Sequence, residues 1–291
     1  MPKKSKVCIC FLVVNDVLEL PKLAISSALA TTDKSVQIYV GYMNKNDCVS
    51  LPLDNRIQYL DLGDSSKYEI NKEFNGKYSA FDREEFYKIV QLKWLLIQKT
   101  LDEKFDFIVY SDTDVIWLKD PIMSIENAFE RFEEVELFTQ SDTRSTDYLV
   151  PCMGFVAIRN SKRMKLLIEE CKKLHELRRS SNKHIGDDEI MKEILEKHHQ
   201  PEWFRELPQM TFPIGAMYGL FKRKFHFPNL LTPEPYIFHA NYVNGLANKR
   251  MLLRLVMGRK YRKAYNMKFS FSFILKMFLN LTKVNIRNYF G

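Results

Sequence analysis

Phe105-Asp106-Phe107-Ile108-Val109-Tyr110-Ser111-Asp112-Thr113-Asp114-Val115-Ile116-Trp117-Leu118 is the stretch on which the reading of this chain turns. Phe107 to Tyr110 is a run of β-branched and aromatic residues, which favour a pleated, covered surface and so predict a buried strand. Two aspartates stand at its tip, and apolar residues resume at once. A buried carboxylate without a partner is costly. A hard divalent ion such as Mg²⁺ or Mn²⁺ removes that cost, because it takes oxygen ligands and shares them with substrate phosphates. The segment therefore predicts a metal–phosphate site at the carboxyl end of a strand. Asp-x-Asp also occurs in solvated turns, so the pair needs support from the rest of the chain.

Working outward, residues 7–14 read as a first strand ending in polar Asn15-Asp16. Glu19 to Ala30 has helical spacing, with Pro21 in its first turn. Val36 to Tyr42 alternates as a second strand would, and Arg56 to Leu60 is a short third. Asp61 to Ala80 is polar and holds Gly63 and Gly76, the composition of a loop. Asp82 followed by Glu85 is a capping box for a helix running to about Leu101. Beyond the aspartates, Pro121 closes the segment and a helix is expected over Ile125 to Phe132. Leu137 to Thr139 and Gly154 to Ile158 read as strands, Ser161 to Leu177 as a basic amphipathic helix. Asp187 to Lys197 is a helix with acidic residues in its first turn, as the helix dipole prefers. Alternating strands and helices predict an α/β fold. Ligands of open α/β sheets bind beyond the carboxyl ends of the strands, where both Asn15-Asp16 and Asp112/Asp114 fall.

With 291 residues, 46% of them hydrophobic, the chain is globular rather than disordered. Five cysteines without Cys-x-x-Cys spacing argue against a disulfide framework and a zinc site. The apolar run after Lys3, Lys4 and Lys6 is too short for a leader and is followed by Asn15-Asp16, so it is read as a strand. No stretch reaches the ~20 apolar residues of a membrane-spanning helix, and a cytoplasmic enzyme is expected. The net charge of +8 is uneven: residues 235–291 contain eleven Lys and Arg and no acid, leaving −3 over residues 1–234. A basic tail with the apolar stretch Phe269 to Leu281 suits adsorption to an anionic membrane surface; the plainer alternative is a docked helix with solvated lysines. No nucleic-acid recognition motif accompanies the charge.

Tyr87-Lys88-Ile89-Val90-Gln91-Leu92-Lys93-Trp94, the Ser-Asp-Thr-Asp-Val-Ile-Trp-Leu-Lys-Asp-Pro run at 111–121, and Gly154-Phe155-Val156-Ala157-Ile158-Arg159-Asn160-Ser161 together resemble nucleotide-sugar-dependent glycosyltransferases of the GT-A type. The resemblance is to the nucleotide-diphospho-sugar transferases around glycosyltransferase family 77, with family 8 as a cousin. His239-Ala240-Asn241-Tyr242-Val243-Asn244-Gly245, with Lys249 beyond, resembles their late His–Gly–Lys motif. It implies a GT-A (Rossmann-like) mixed sheet flanked by helices over residues 1–255, with a basic helical C-terminal extension over 256–291.

By that resemblance Asp114 binds a metal, Mn²⁺ or Mg²⁺, directly. Asp112 meets the metal and the ribose, with Thr113 between them at the nucleotide, and His239 is the third protein ligand. Gly245 and Lys249 meet the diphosphate, Lys88 contacts the nucleotide, and Val13, Val14 and Asn15 line the base pocket. Asp187 and Asp188 fall near the donor sugar as the expected catalytic or cation-stabilising pair. Asp188 stands where relatives often carry glutamine, and Cys152 where they often carry asparagine, which leaves the sugar open. The implied reaction is metal-dependent transfer from a nucleotide-diphosphate sugar, UDP-linked first, to a glycan, lipid-linked or other hydroxyl acceptor, with retention of configuration, as in polysaccharide biosynthesis.

Plainer readings stand beside these. A lone histidine is commonly structural, Lys88 a solvated helix lysine, and Asp187 and Asp188 an N-terminal helix cap. Trp94 and Trp117 read as core, Cys8 and Cys10 as inert packing. The rival enzyme is a haloacid-dehalogenase-type phosphatase, which also uses Asp-x-Asp. It expects Thr or Val where Ile116 stands, and its pair ends the first strand. A non-catalytic carbohydrate-binding or scaffold protein is the other class, and it has no need of Asp112, Asp114 and His239 together.

Overall fold

The computed structural model describes residues 5–14, 19–43, 45–63, 84–141, 151–180, 185–199, 201–209, 211–214, 235–241 and 246–262. The expected Asp82 cap, most of the loop to Ala80, Asn15, Gly245 and the tail beyond 262 lie outside them.

β1 (Val7–Val13) is buried at every position, the mark of a strand with helices on both faces. It pairs in parallel with β2 (Gln37–Tyr42) on one side and with β4 (Phe107–Ser111) on the other. β3 (Ile57–Asp61) extends the sheet beyond β2. β7 (Pro151–Arg159) lies antiparallel between β4 and β6 (Leu137–Ser141), and β8 (Phe204–Glu206) closes that edge parallel to β6. The order is thus β3-β2-β1-β4-β7-β6-β8. The chain leaves β1 in one direction and returns with β4 in the other, so a crevice opens beyond the carboxyl ends of β1 and β4.

Strand alternation divides the core. Cys8, Cys10, Leu12, Ile108 and Tyr110 face α2 (Glu84–Leu101), α4 (Lys162–Ser180) and α5 (Asp187–Lys197), where Trp94, Ile168 and Ile190 pack. Val7, Ile9, Phe11, Phe107 and Val109 face α1 (Glu19–Thr31) and α3 (Ile122–Arg131), meeting Ile25, Ile125 and Phe129. Each fully buried large side chain contributes about 1.5–3 kcal/mol. Arg56 secures the end of α1: its guanidinium donates to Leu29 O at 2.7 Å and Thr32 O at 3.3 Å, carbonyls that a helix end leaves without partners.

The helix expected from Ile125 begins at Ile122 instead. Pro121 opens it rather than closing the preceding segment, since a proline needs no N–H in a first turn, and Asp120 accepts the Ile122 N–H at 2.9 Å.

Two short strands escape the sequence pattern altogether. β5 (Val115–Trp117) and β9 (Ile237–His239) pair antiparallel as a separate ladder, with Val115 opposite His239. Ile116, Phe238 and Ala240 pack on Leu20 and Leu23 of α1 and on Leu252, Leu253 and Met257 of α6 (Leu246–Arg262). Arg250 and Arg254 of α6 both pair with Glu19 at the start of α1, so part of the basic C-terminal character is used in holding α6 in place. No helix among the described residues is long and apolar enough to cross a membrane.

The register of β6 on β7 shifts between Thr139 and Gln140: Thr139 lies opposite Val156, Gln140 opposite Cys152. Met153, Gly154 and Phe155 take up the difference. Such irregularities re-aim side chains, and this one borders the crevice.

Candidate active site

β4 delivers its two aspartates to the crevice. The Asp112 N–H donates to Gly154 O of β7 at 2.7 Å, and the Val115 N–H donates back to Asp112 O at 3.2 Å. The chain thereby turns at Asp112-Thr113-Asp114 before entering β5. Thr113 is half-buried between the two carboxylates. Asp114 O accepts the Ala240 N–H at 3.0 Å, so the β5–β9 ladder brings His239 against Asp114. His239 Nε2 lies 3.2 Å from Asp114 Oδ1. Lys249 of α6 donates to the other carboxylate oxygen.

Asp112, Asp114 and His239 each offer a ligand atom, and the three lie within 4.8 Å of one another. Gly154 is the floor beneath them. A Cβ there would stand 2.1 Å from His239 Cε1 and 2.9 Å from Asp112 Oδ2, so any side chain would displace the ligands. Two carboxylates and one imidazole suit a divalent cation: Asp112 and Asp114 would provide oxygens and His239 a ring nitrogen. Gly154→Ala is expected to weaken divalent-cation binding at least about tenfold, the scale on which disturbed ligand orientation acts. Overpacking should cost about 1–3 kcal/mol as well; titration calorimetry and urea unfolding would measure the two effects.

Electrostatics separates the two aspartates. Burial pushes the Asp114 carboxyl up, but Lys249 and His239 outweigh it and hold the group well below the usual carboxylate range. Asp112 goes the other way: burial raises it, and Lys93 only partly offsets that against Asp114 and Asp187. Tyr110, pushed well up by burial and then by Asp112, keeps its hydroxyl proton and donates it to Asp112 Oδ1 at 2.8 Å.

Lys93 joins this wall to the next. It is 4% exposed, lies 4.5 Å from the centre of the Tyr110 ring, and reaches Asp112 Oδ1 at 3.5 Å while also pairing with Asp187. Burial alone would lower its pKa, yet Asp112 and Asp187 raise it well above the ordinary lysine value, so it stays charged. Asp187 and Asp188 open α5 after Gly186, whose N–H donates to Glu189 at 2.7 Å. Asp188 Oδ1 accepts the Met153 N–H at 2.6 Å. The structure therefore anchors Asp187 on a lysine and Asp188 on the β7 irregularity.

Of the residues singled out in the sequence, Asp112, Thr113, Asp114, Asp187, Asp188, His239 and Lys249 gather at one end of the sheet. Val13 and Val14 end the neighbouring β1, the first buried and the second half-buried. Asn15 and Gly245 lie outside the described residues, as does the side chain of Lys88 in α2. Sequence reasoning missed Lys93, Tyr110, Gly154 and Gln140 as parts of the site. A signal existed for Lys93, a lysine among Leu92, Trp94, Leu96 and Ile97 on a buried helix.

The family model described as nucleotide-diphospho-sugar transferase matches residues 54–253. Among solved structures, the apo form of mouse xyloside xylosyltransferase 1 superposes with a TM-score of 0.53 at 13% identity, covering 82% of this chain and 98% of that one. The galactosyltransferase LgtC, in complex with donor and acceptor sugar analogs, gives 0.56 at 12% identity, covering 88% and 99%. An active-site mutant of LgtC gives 0.57 at 11% identity with the same coverage. At these identities the likeness is one of fold. No curated protein sequence matches the chain.

Proposed function

The chain belongs to the nucleotide-diphospho-sugar transferase family, a family of glycosyltransferases, and from its site we propose a metal-dependent transfer from a UDP-sugar to a hydroxyl of a glycan acceptor. The observation that carries this reading is the convergence of Asp112, Asp114 and His239 over Gly154. It lies at the carboxyl end of β4, beside a lysine brought in by α6. The phosphatase alternative loses ground because the aspartate pair ends the fourth strand and not the first.

When bound, Mn²⁺ or Mg²⁺ supplies positive charge to the diphosphate as it leaves. Lys249 stands at the same edge and stabilises the same developing charge as a point cation. Half-buried Val14 offers an apolar wall to the base, while Val13 is buried in the core beneath it. Asp187 and Lys93 border the space beyond the aspartates, where the donor sugar would lie. Asp187 is engaged by Lys93 and Asp188 by the Met153 N–H, which favours attack by the acceptor itself over a carboxylate nucleophile. In that scheme the acceptor oxygen bonds to the anomeric carbon on the face the diphosphate leaves. The bond to the diphosphate breaks, the acceptor proton passes to a diphosphate oxygen, and configuration is retained.

Thermal denaturation with UDP, GDP and CDP, each with and without Mn²⁺, tests the reading. Nucleotide at about 100 times its dissociation constant adds ~2.7 kcal/mol of stability. A melting shift from UDP that requires Mn²⁺ is expected. A shift confined to GDP or CDP would replace the donor, and no shift with any nucleotide would remove the metal–nucleotide site.

A further inference from the structure

Gln140 is fully buried, and nothing in its own strand calls for a polar side chain there. Its amide is oriented without ambiguity. Nε2 faces two backbone carbonyls, Phe212 O at 3.1 Å and Pro213 O at 3.2 Å. Carbonyls only accept, so the NH₂ group must point at them and Oε1 must point the other way. Oε1 then lies 3.0 Å from His239 Nδ1. Two acceptors would repel at that distance, so Nδ1 meets Oε1 as an N–H. Nε2 is turned toward Asp114 Oδ1 at 3.2 Å, the side from which a cation would take its lone pair.

We propose that Gln140 is the positioning residue of this site, orienting the His239 ring so that its Nδ1–H meets the amide oxygen while Nε2 meets a divalent cation. The proposal rests on the metal reading above but concerns a different residue, which touches neither metal nor substrate. Ligating histidines generally donate their second ring N–H to such a partner, and loss of it commonly costs 10–100-fold in metal affinity. The register shift at Thr139/Gln140 has its reason here: it sets Gln140 opposite Cys152 and aims the amide between His239 and the Phe212–Pro213 backbone. Cys152 is the competing candidate. Its Sγ is 3.6 Å from the same Nδ1, but it also takes the Asn241 amide at 3.6 Å, and sulfur is the weaker acceptor.

The test combines two readouts on the full chain. Long-range ¹H–¹⁵N spectra of histidine-labelled protein loaded with Mg²⁺ report whether the His239 Nδ1 proton is held in a hydrogen bond; electron paramagnetic resonance of free Mn²⁺ reports affinity. Gln140→Met should lose the held proton and bind Mn²⁺ about 10–100-fold more weakly. Gln140→Leu should do the same, and Cys152→Ala should retain both properties. Retention of both properties in folded Gln140→Met, or their loss in Cys152→Ala, would overturn the proposal. If Gln140→Met does not fold, Gln140→Leu and Cys152→Ala still decide it. Wild-type protein that binds no Mn²⁺ would refute the metal reading, an outcome distinct from unchanged affinity in Gln140→Met.

Discussion

Asp114→Asn is expected to reduce sugar transfer by about 10²–10³-fold, the loss that accompanies removal of one preorganised electrostatic contact at a reacting centre. The substitution keeps the shape and removes the charge. Asp114 is the carboxylate that both His239 and Lys249 address, and together they hold it well below the usual carboxylate range. An amide there offers one neutral oxygen to a cation and leaves Lys249 without its anionic partner. Release of nucleotide diphosphate in the presence of acceptor would measure the effect. The backbone of this corner is kept, because Asp114 O still accepts the Ala240 N–H and the β5–β9 ladder is untouched. Turnover at the wild-type rate would show that the site works without an anion at this position.

Lys93→Met is expected to cost about 3–5 kcal/mol of folding stability, the penalty for leaving one side of a buried ion pair uncompensated. Lys93 is the positive charge between Asp112 and Asp187. Without it, the half-buried Asp187 loses its cation, and the more exposed Asp112 loses the one nearest it. The pH dependence has a definite sign. Asp112 is already raised in the folded protein, chiefly by burial, and loses the Lys93 interaction that lowers it. A carboxyl whose folded pKa lies above its unfolded value destabilises when ionised, and protonation relieves the cost. The gap between variant and wild type should therefore narrow as pH falls from neutral toward about 4. Urea unfolding across that range would show it. Adding Asp187→Leu to Lys93→Met should restore part of the loss, and a Lys93→Met cost below about 1 kcal/mol would place the pair among weak surface bridges.

Much of this was legible because it was local. The aspartates after β4, the buried alternation of β1, and the acidic start of α5 all follow from residues a few positions apart. α5 runs over the expected Asp187–Lys197. The failures are non-local. β5 and β9 have three residues each, too few for a period, and only their pairing makes them strands. Gln140 and Gly154 owe their roles to a register shift, and a register is a relation between strands that no single segment encodes. Lys88 and Lys93 show the middle case. The resemblance pointed to the first, whereas the buried face of α2 singles out the second, since a lysine among core residues needs an anion.

The β5–β9 ladder has a kinetic consequence. The contacts it supports join residues far apart in the chain: 99 positions for Gln140 and His239, 135 for Asp114 and Lys249. Closing such spans is entropically costly before any contact rewards it, so this corner forms after the local strand–helix units have condensed. Interactions absent from the folding transition state govern how fast a protein comes apart, not how fast it forms. A cation or nucleotide bound here would therefore act as a clasp on the finished chain, lengthening the lifetime of the native state while leaving its rate of formation to the seven-stranded sheet.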